Sequence, residues 1–99
     1  MRISDLTNEP SIEEVNNDIV SKINKLKVVN ENWTTMINAI GYDEAVRISL
    51  PALEIKLHHT AKFYAWWYKS TDKLISKFEN ELEILRTKIN SGLNEQLSD

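Results

Sequence analysis

Cysteine is absent from this chain of 99 residues, which excludes disulfides and thiol chemistry and leaves the redox compartment open. Glycine and proline occur twice each, so few positions can interrupt a helix. Neither glycine belongs to a phosphate-cradling loop, since Gly41 and Gly92 stand alone. No apolar run approaches the roughly 18 residues that a membrane-spanning helix needs. The opening MRISDLTNEP lacks the apolar stretch of a secretory signal. The expectation is a cytoplasmic chain with no membrane partner. An excess of one charge is missing too: the formal net charge of −3 is too small to select a partner by itself.

The distribution of charge is more informative. Residues 1–45 hold eight acids against four bases, whereas residues 46–90 hold eight bases against five acids. A chain polarised in this way tends to place its basic half near an anion, or near the acidic half of a neighbour. Hydrophobic residues make up 41% and charged residues 27%, the balance of a folded domain rather than a disordered one. The length suffices for one domain. Ile, Asn and Lys are abundant while Gly, Pro and Ala are scarce, as in the AT-rich coding genomes of many phages.

The punctuation falls where helix ends belong. Residues 1–10 are polar and close on Asn8-Glu9-Pro10, which reads as a flexible arm. Ser11 with Glu14 three positions later forms a capping box. Behind it Ile12, Val15, Ile19, Leu26, Val29, Trp33, Met36 and Ile40 alternate three and four apart, with Lys22 off pattern. This predicts a helix over 11–40, about 45 Å long, which Asn30-Glu31-Asn32 could loosen midway. Gly41 follows, where a left-handed cap favours a residue without Cβ. Asp43 can cap a short helix through Ser49. Pro51 suits the first position of a second long helix over 51–90, on the order of 60 Å, before Ser91-Gly92 ends it and a tail begins. Its expected apolar face runs Leu53, Leu57, Ala61, Tyr64, Trp67, Tyr68, Leu74, Ile75, Phe78, Leu82, Leu85 and Ile89. The expected fold is all-α: two long helices in an antiparallel hairpin with a short connecting helix, completed as a bundle by self-association.

Chemistry has little to work with. Glu54 and His58 lie one turn apart, but the adjacent His58 and His59 project about 100° apart on a helix, and no third ligand completes a metal site. No Ser/His/Asp arrangement follows from spacing, and the acids Glu79, Glu81 and Glu83 read as a solvated face. The expectation is no enzyme, no metal and no cofactor. The unusual segment is His58 to Lys69, HHTAKFYAWWYK. Tyr64, Trp67 and Tyr68 fall on the apolar stripe and read as core. Trp66 faces away from it, with His59, Lys62, Lys69 and Lys73 at spacings of three, four and seven residues. A large ring among cations on a solvent face invites a partner. One class of partner is protein, including a second copy of the chain. The other is single-stranded nucleic acid, whose bases stack on indole while its phosphates meet lysines.

The stretch from Leu53 to Leu82 resembles the helical segment of the UvsY-type recombination mediators of T4-type phages. Leu53, Tyr64 and Trp67 fall at matching intervals, followed by apolar residues at Leu74 and Phe78. The resemblance implies a small, helical, oligomeric protein that binds single-stranded DNA and helps to load a recombinase. This chain departs from that pattern. It carries some fifty extra residues ahead of the match and lacks the paired tyrosines that the family places before a glycine, with Ser91-Gly92 alone near that position. The reading favoured by the residues is a helical adaptor or assembly factor that works through protein contacts of its aromatic helix. A single-strand-binding accessory protein of recombination or replication is the alternative.

Overall fold

The computed structural model describes residues 11–97, so the arm expected over 1–10 lies outside the described residues. What is described is all helical. Helix α1 spans Ile12–Glu31, α2 Trp33–Ile40, α3 Tyr42–Leu53, α4 His59–Trp67 and α5 Lys69–Leu97. At the start of α1 the Ser11 hydroxyl accepts the Glu14 amide at 3.2 Å, which satisfies one of the amides that a helix N-terminus leaves open. The break midway in the first apolar run falls at Asn32, whose side-chain Nδ2 donates back to the Val28 carbonyl at 2.8 Å. Gly41 separates α2 from α3 with φ +86° and ψ 163°, a conformation open to glycine and strained for other residues.

The second long helix does not begin at Pro51. Proline instead sits in the last turn of α3, and the helix survives it by two residues before residues 54–58 leave helical geometry. A ring that removes one amide and crowds the preceding carbonyl is tolerable where the helix is ending anyway. His58 then caps α4, its Nδ1 accepting the Thr60 amide at 3.3 Å. A further break falls at Tyr68, which is extended at φ −123° and ψ 118°. This one residue closes α4, donating its amide to the Tyr64 carbonyl at 2.7 Å, and opens α5, its carbonyl accepting from Thr71 and Asp72 at 3.1 and 3.3 Å. Ser91-Gly92 does not stop α5, which continues through both to Leu97.

The long helices are not an antiparallel hairpin. In an antiparallel pair the contacting residue numbers would keep a constant sum; here they keep a nearly constant difference. Thr71 Oγ1 donates to Asn16 Oδ1 at 2.6 Å. Asn30 Nδ2 donates to the Glu81 carbonyl and to its carboxylate, both at 2.9 Å, and Lys88 Nζ donates to the Asn30 carbonyl at 2.6 Å. The sequence separations are 55, 51 and 58, so α1 and α5 run side by side in the same direction. Along the same seam lie Val15, Ile19, Ile23 and Leu26 of α1 with Ile75, Phe78 and Leu85 of α5, all buried. Ile23, not Lys22, fills the α1 stripe, and Ile40 is exposed. The chain between them makes the return journey, α3 and α4 forming one descending limb that packs through Ala45, Ser49, Ala52 and Ala61.

At the far end Tyr42 locks the descending limb to α5. Its hydroxyl donates to the Ile89 carbonyl at 2.7 Å, and its ring meets Trp33 edge-on at 6.4 Å. Burial, with the Asp43 carboxylate beside it, pushes the phenol above its ordinary range, so it stays a donor at neutral pH. The ring lies so close to Gly92 that a Cβ there would sit 2.5 and 2.9 Å from two ring carbons.

Two outcomes follow. With no native cysteine to interfere, Asn16→Cys with Thr71→Cys should form an intramolecular disulfide under mild oxidation. Asn16→Cys with Lys88→Cys should not, and the reverse pattern would restore the antiparallel hairpin. Gly92→Ala should destabilise the protein by about 1–3 kcal/mol, because the methyl overpacks against Tyr42. In a Tyr42→Ala background the same change should stabilise by about 0.5–1 kcal/mol, the ordinary helical preference for alanine over glycine. A thermal-melt double-mutant cycle reads both signs.

Candidate functional site

Helix α4 has its own phase, and that phase decides which rings are exposed. Its inward residues are Ala61, which is 1% exposed, with Tyr64 and Ala65 half-buried beside it. These three recur at spacings of three and four, one side of a helix. The opposite side carries His59, Lys62, Phe63, Trp66 and Trp67, all exposed. Trp66 is 75% exposed, Trp67 61% and Phe63 59%, and Tyr68 at the break is 47% exposed. The expectation that Trp67 and Tyr68 lie in the core is therefore corrected. That stripe assumed one helix from 51 to 90, and the breaks at 54–58 and at Tyr68 reset the phase on both sides of α4.

The exposed rings form a contiguous cluster rather than scattered residues. Trp66 and Trp67 meet edge-on with centroids 4.7 Å apart, and Phe63 lies 6.4 Å from Trp67. Tyr64, 5.8 Å from Phe63 and 6.1 Å from Tyr68, joins the cluster to the core. Edge-on and tilted arrangements at these distances are favourable for aromatic quadrupoles, so the rings support one another without being covered. Contiguous apolar surface of this kind makes the cluster the candidate interaction site of the described residues.

The residues singled out from sequence divide between two elements. His59, Lys62 and Trp66 share the outer face of α4. Lys69 and Lys73 belong to the first turns of α5, so they follow the α5 axis and not the helical wheel that grouped them with Trp66. All five are exposed, and Lys62, Lys69 and Lys73 enter no ion pair with another described residue. Sequence reasoning missed Phe63, Trp67 and Tyr68 as surface residues. The signal that could have found them is Ser70-Thr71-Asp72, two hydroxyl residues and an acid of the kind that start a helix, which places a boundary just ahead and detaches the aromatic segment.

Other chemistry finds little support in the geometry. The His58 and His59 rings stack at 4.5 Å, with His58 Nδ1 engaged at the cap of α4 and 2.7 Å from Thr60 Oγ1. Among the described residues no group of three His, Asp or Glu side chains could hold a metal ion, and no helix is long and apolar enough to cross a membrane. An open cavity of about 440 Å³ lies between α1 and α4, lined by Glu14, Val15, Asp18, Lys22, His58, Thr60 and Ala61. Inside it Lys22 and Asp18 pair at 2.7 Å, so its charges largely answer each other. Comparison with family models, curated proteins and solved structures finds no match for this chain.

The corrected placement has a measurable consequence. Trp66→Ala and Trp67→Ala should each leave the melting temperature and helical content nearly unchanged, within the roughly 0.5 kcal/mol typical of exposed positions. Phe78→Ala, which empties a buried ring from the seam of α1 and α5, should cost about 3–5 kcal/mol. A Trp67→Ala variant that melts as early as Phe78→Ala would return that tryptophan to the core.

Proposed function

We propose that this chain is a non-enzymatic helical adaptor or assembly factor that acts through protein contacts of the aromatic elbow where α4 meets α5. The observation that carries this reading is the inverted amphipathicity of α4, with alanines turned to the core and Phe63, Trp66 and Trp67 turned to water. Leaving such rings bare gains nothing for the monomer, whereas aromatic side chains near the centre of a protein interface supply most of its binding energy. Homo-oligomerisation belongs to the same proposal, because a helical rod 62 × 26 × 18 Å with a thin core gains from covering its outer rings.

A second reading has an observation of its own. Lys62, Lys69 and Lys73 are exposed without ion pairs among the described residues, and rings beside free cations suit single-stranded nucleic acid. The resemblance of Leu53–Leu82 to the UvsY-type mediators leans the same way, although the breaks at 54–58 and at Tyr68 fall inside that segment. Protein ranks first because Glu13 and Glu14, near the same end of the rod, would oppose a polyanion.

One experiment separates the two. A photo-reactive benzophenone amino acid replaces Trp66 in one preparation and Arg47, exposed on α3, in another. Both are irradiated in extract of the source cells. Protein adducts at position 66 and not at 47 are the expected result. Adducts to nucleic acid alone, with retention of a single-stranded oligonucleotide that weakens steeply as salt rises, would reverse the ranking. No adduct above the Arg47 control would remove the elbow as an interface.

A further inference from the structure

We infer that the elbow's occupant is the elbow of a second copy of this chain, in an end-to-end pair related by a two-fold axis. This rests on the reading of the elbow as a protein-docking surface and names its partner. The first argument is placement. Asn16 Nδ2 donates to Ser70 Oγ at 3.4 Å and Asn16 Oδ1 accepts from Thr71 Oγ1 at 2.6 Å, so the start of α1 lies beside the start of α5. The end of the rod that carries the rings therefore carries both signs of charge. Glu13 and Glu14 come from α1, and Lys69 and Lys73 from α5, with Lys62 on α4. All five are exposed, and none is in an ion pair with another described residue.

A surface that holds an apolar patch flanked by acids and by cations is complementary to itself. A two-fold axis through the rings brings the acids of each copy toward the cations of the other, twice per pair. A foreign polyanion would satisfy the lysines and be repelled by Glu13 and Glu14. A foreign acidic helix meets the same conflict. A second copy satisfies both signs.

Area gives the second argument. At about 200 Å² per aromatic side chain, the exposed fractions of Phe63, Trp66, Trp67 and Tyr68 amount to roughly 500 Å² per copy. A symmetric pair would then bury on the order of 1,000 Å² through the rings alone, the threshold for a specific interface. The charged rim adds to this. An interface at the low end of the range is expected to exchange with monomer at micromolar concentration.

The test uses the whole chain and its oligomeric state, read by light scattering or sedimentation across a micromolar concentration series, with circular dichroism confirming the fold. The wild type should associate to twice 11.5 kDa, and Phe63→Ala with Trp66→Ala should weaken the pair at least about tenfold. Lys69→Glu with Lys73→Glu tips the balance of the end to acidic, with Lys62 its remaining lysine among those named, and Glu13→Lys with Glu14→Lys tips it to basic, with Asp72 left on α5. Each charge variant alone should be monomeric, and their equimolar mixture should restore the dimer. Glu13→Lys alone serves if the change at Glu14 loosens the start of α1. A wild type that is monomeric throughout overturns the inference and leaves the elbow open to a foreign protein. A dimer that ignores all these substitutions also overturns it, because that dimer forms through another surface and leaves the elbow open to a foreign protein.

Discussion

The parallel pairing of α1 with α5 is the constraint from which the rest of the structure follows. It is pinned by polar contacts at two places: Asn16 to Thr71 near one end, and Asn30 to Glu81 with Lys88 near the other. Apolar faces alone would tolerate a slide of one helical turn, since Ile, Leu and Val replace one another at modest cost. The buried Thr71 and Asn30 would not, because a slide would leave their donors in an apolar seam without acceptors. Lys88 contributes again through the end of α1. That helix has no basic residue in its own last turn, and the ammonium from α5 supplies the cation that its exposed carbonyls favour.

Two parallel helices joined in one chain need a return path, and the return path explains the odd composition of residues 45–65. The faces of α1 and α5 already fill the seam with Ile19, Ile23, Leu26, Ile75, Phe78 and Leu85. The descending limb can come close only with small inward residues, and it has them at Ala45, Ser49, Ala52 and Ala61. The larger Tyr42, Val46, Leu53 and Tyr64 pack half-buried at its margins, while Ile48 and Leu50 on α3 and Phe63, Trp66 and Trp67 on α4 turn outward.

Much of this was legible in the sequence, and the failures share a cause. The 3.6-residue periodicity located the buried face of α1 and of α5 from Leu74 onward, and the Ser11 cap and Gly41 fell where local chemistry puts them. Direction was not legible, because apolar stripes carry no sign: a parallel and an antiparallel pair bury the same residues. The information lay in Asn16, Asn30 and Thr71, polar residues on the inner face that periodicity counts as neutral. The aromatic site was half legible. Trp66 stands out from the stripe, but Trp67 and Tyr68 read as core when one phase is carried across Tyr68. A phase survives only as far as the helix does, and a single extended residue erases it.

The same single residue sets the mechanical character of the elbow. Helix α4 buries Ala61 and parts of Tyr64 and Ala65, little apolar area compared with the long helices, and local stability follows buried contacts. Between residues 54–58 and Tyr68 it has a non-helical joint at each end. Its order therefore depends more than that of α1 or α5 on whatever covers its outer face. Occupancy of the rings and helicity of α4 are then linked by mass action, each favouring the other. A partner at the elbow also bears on Thr71, three residues beyond the joint, and through its bond to Asn16 on the register of the long pair. The rings at the tip of the rod and the pairing along its length are two ends of one continuous set of contacts.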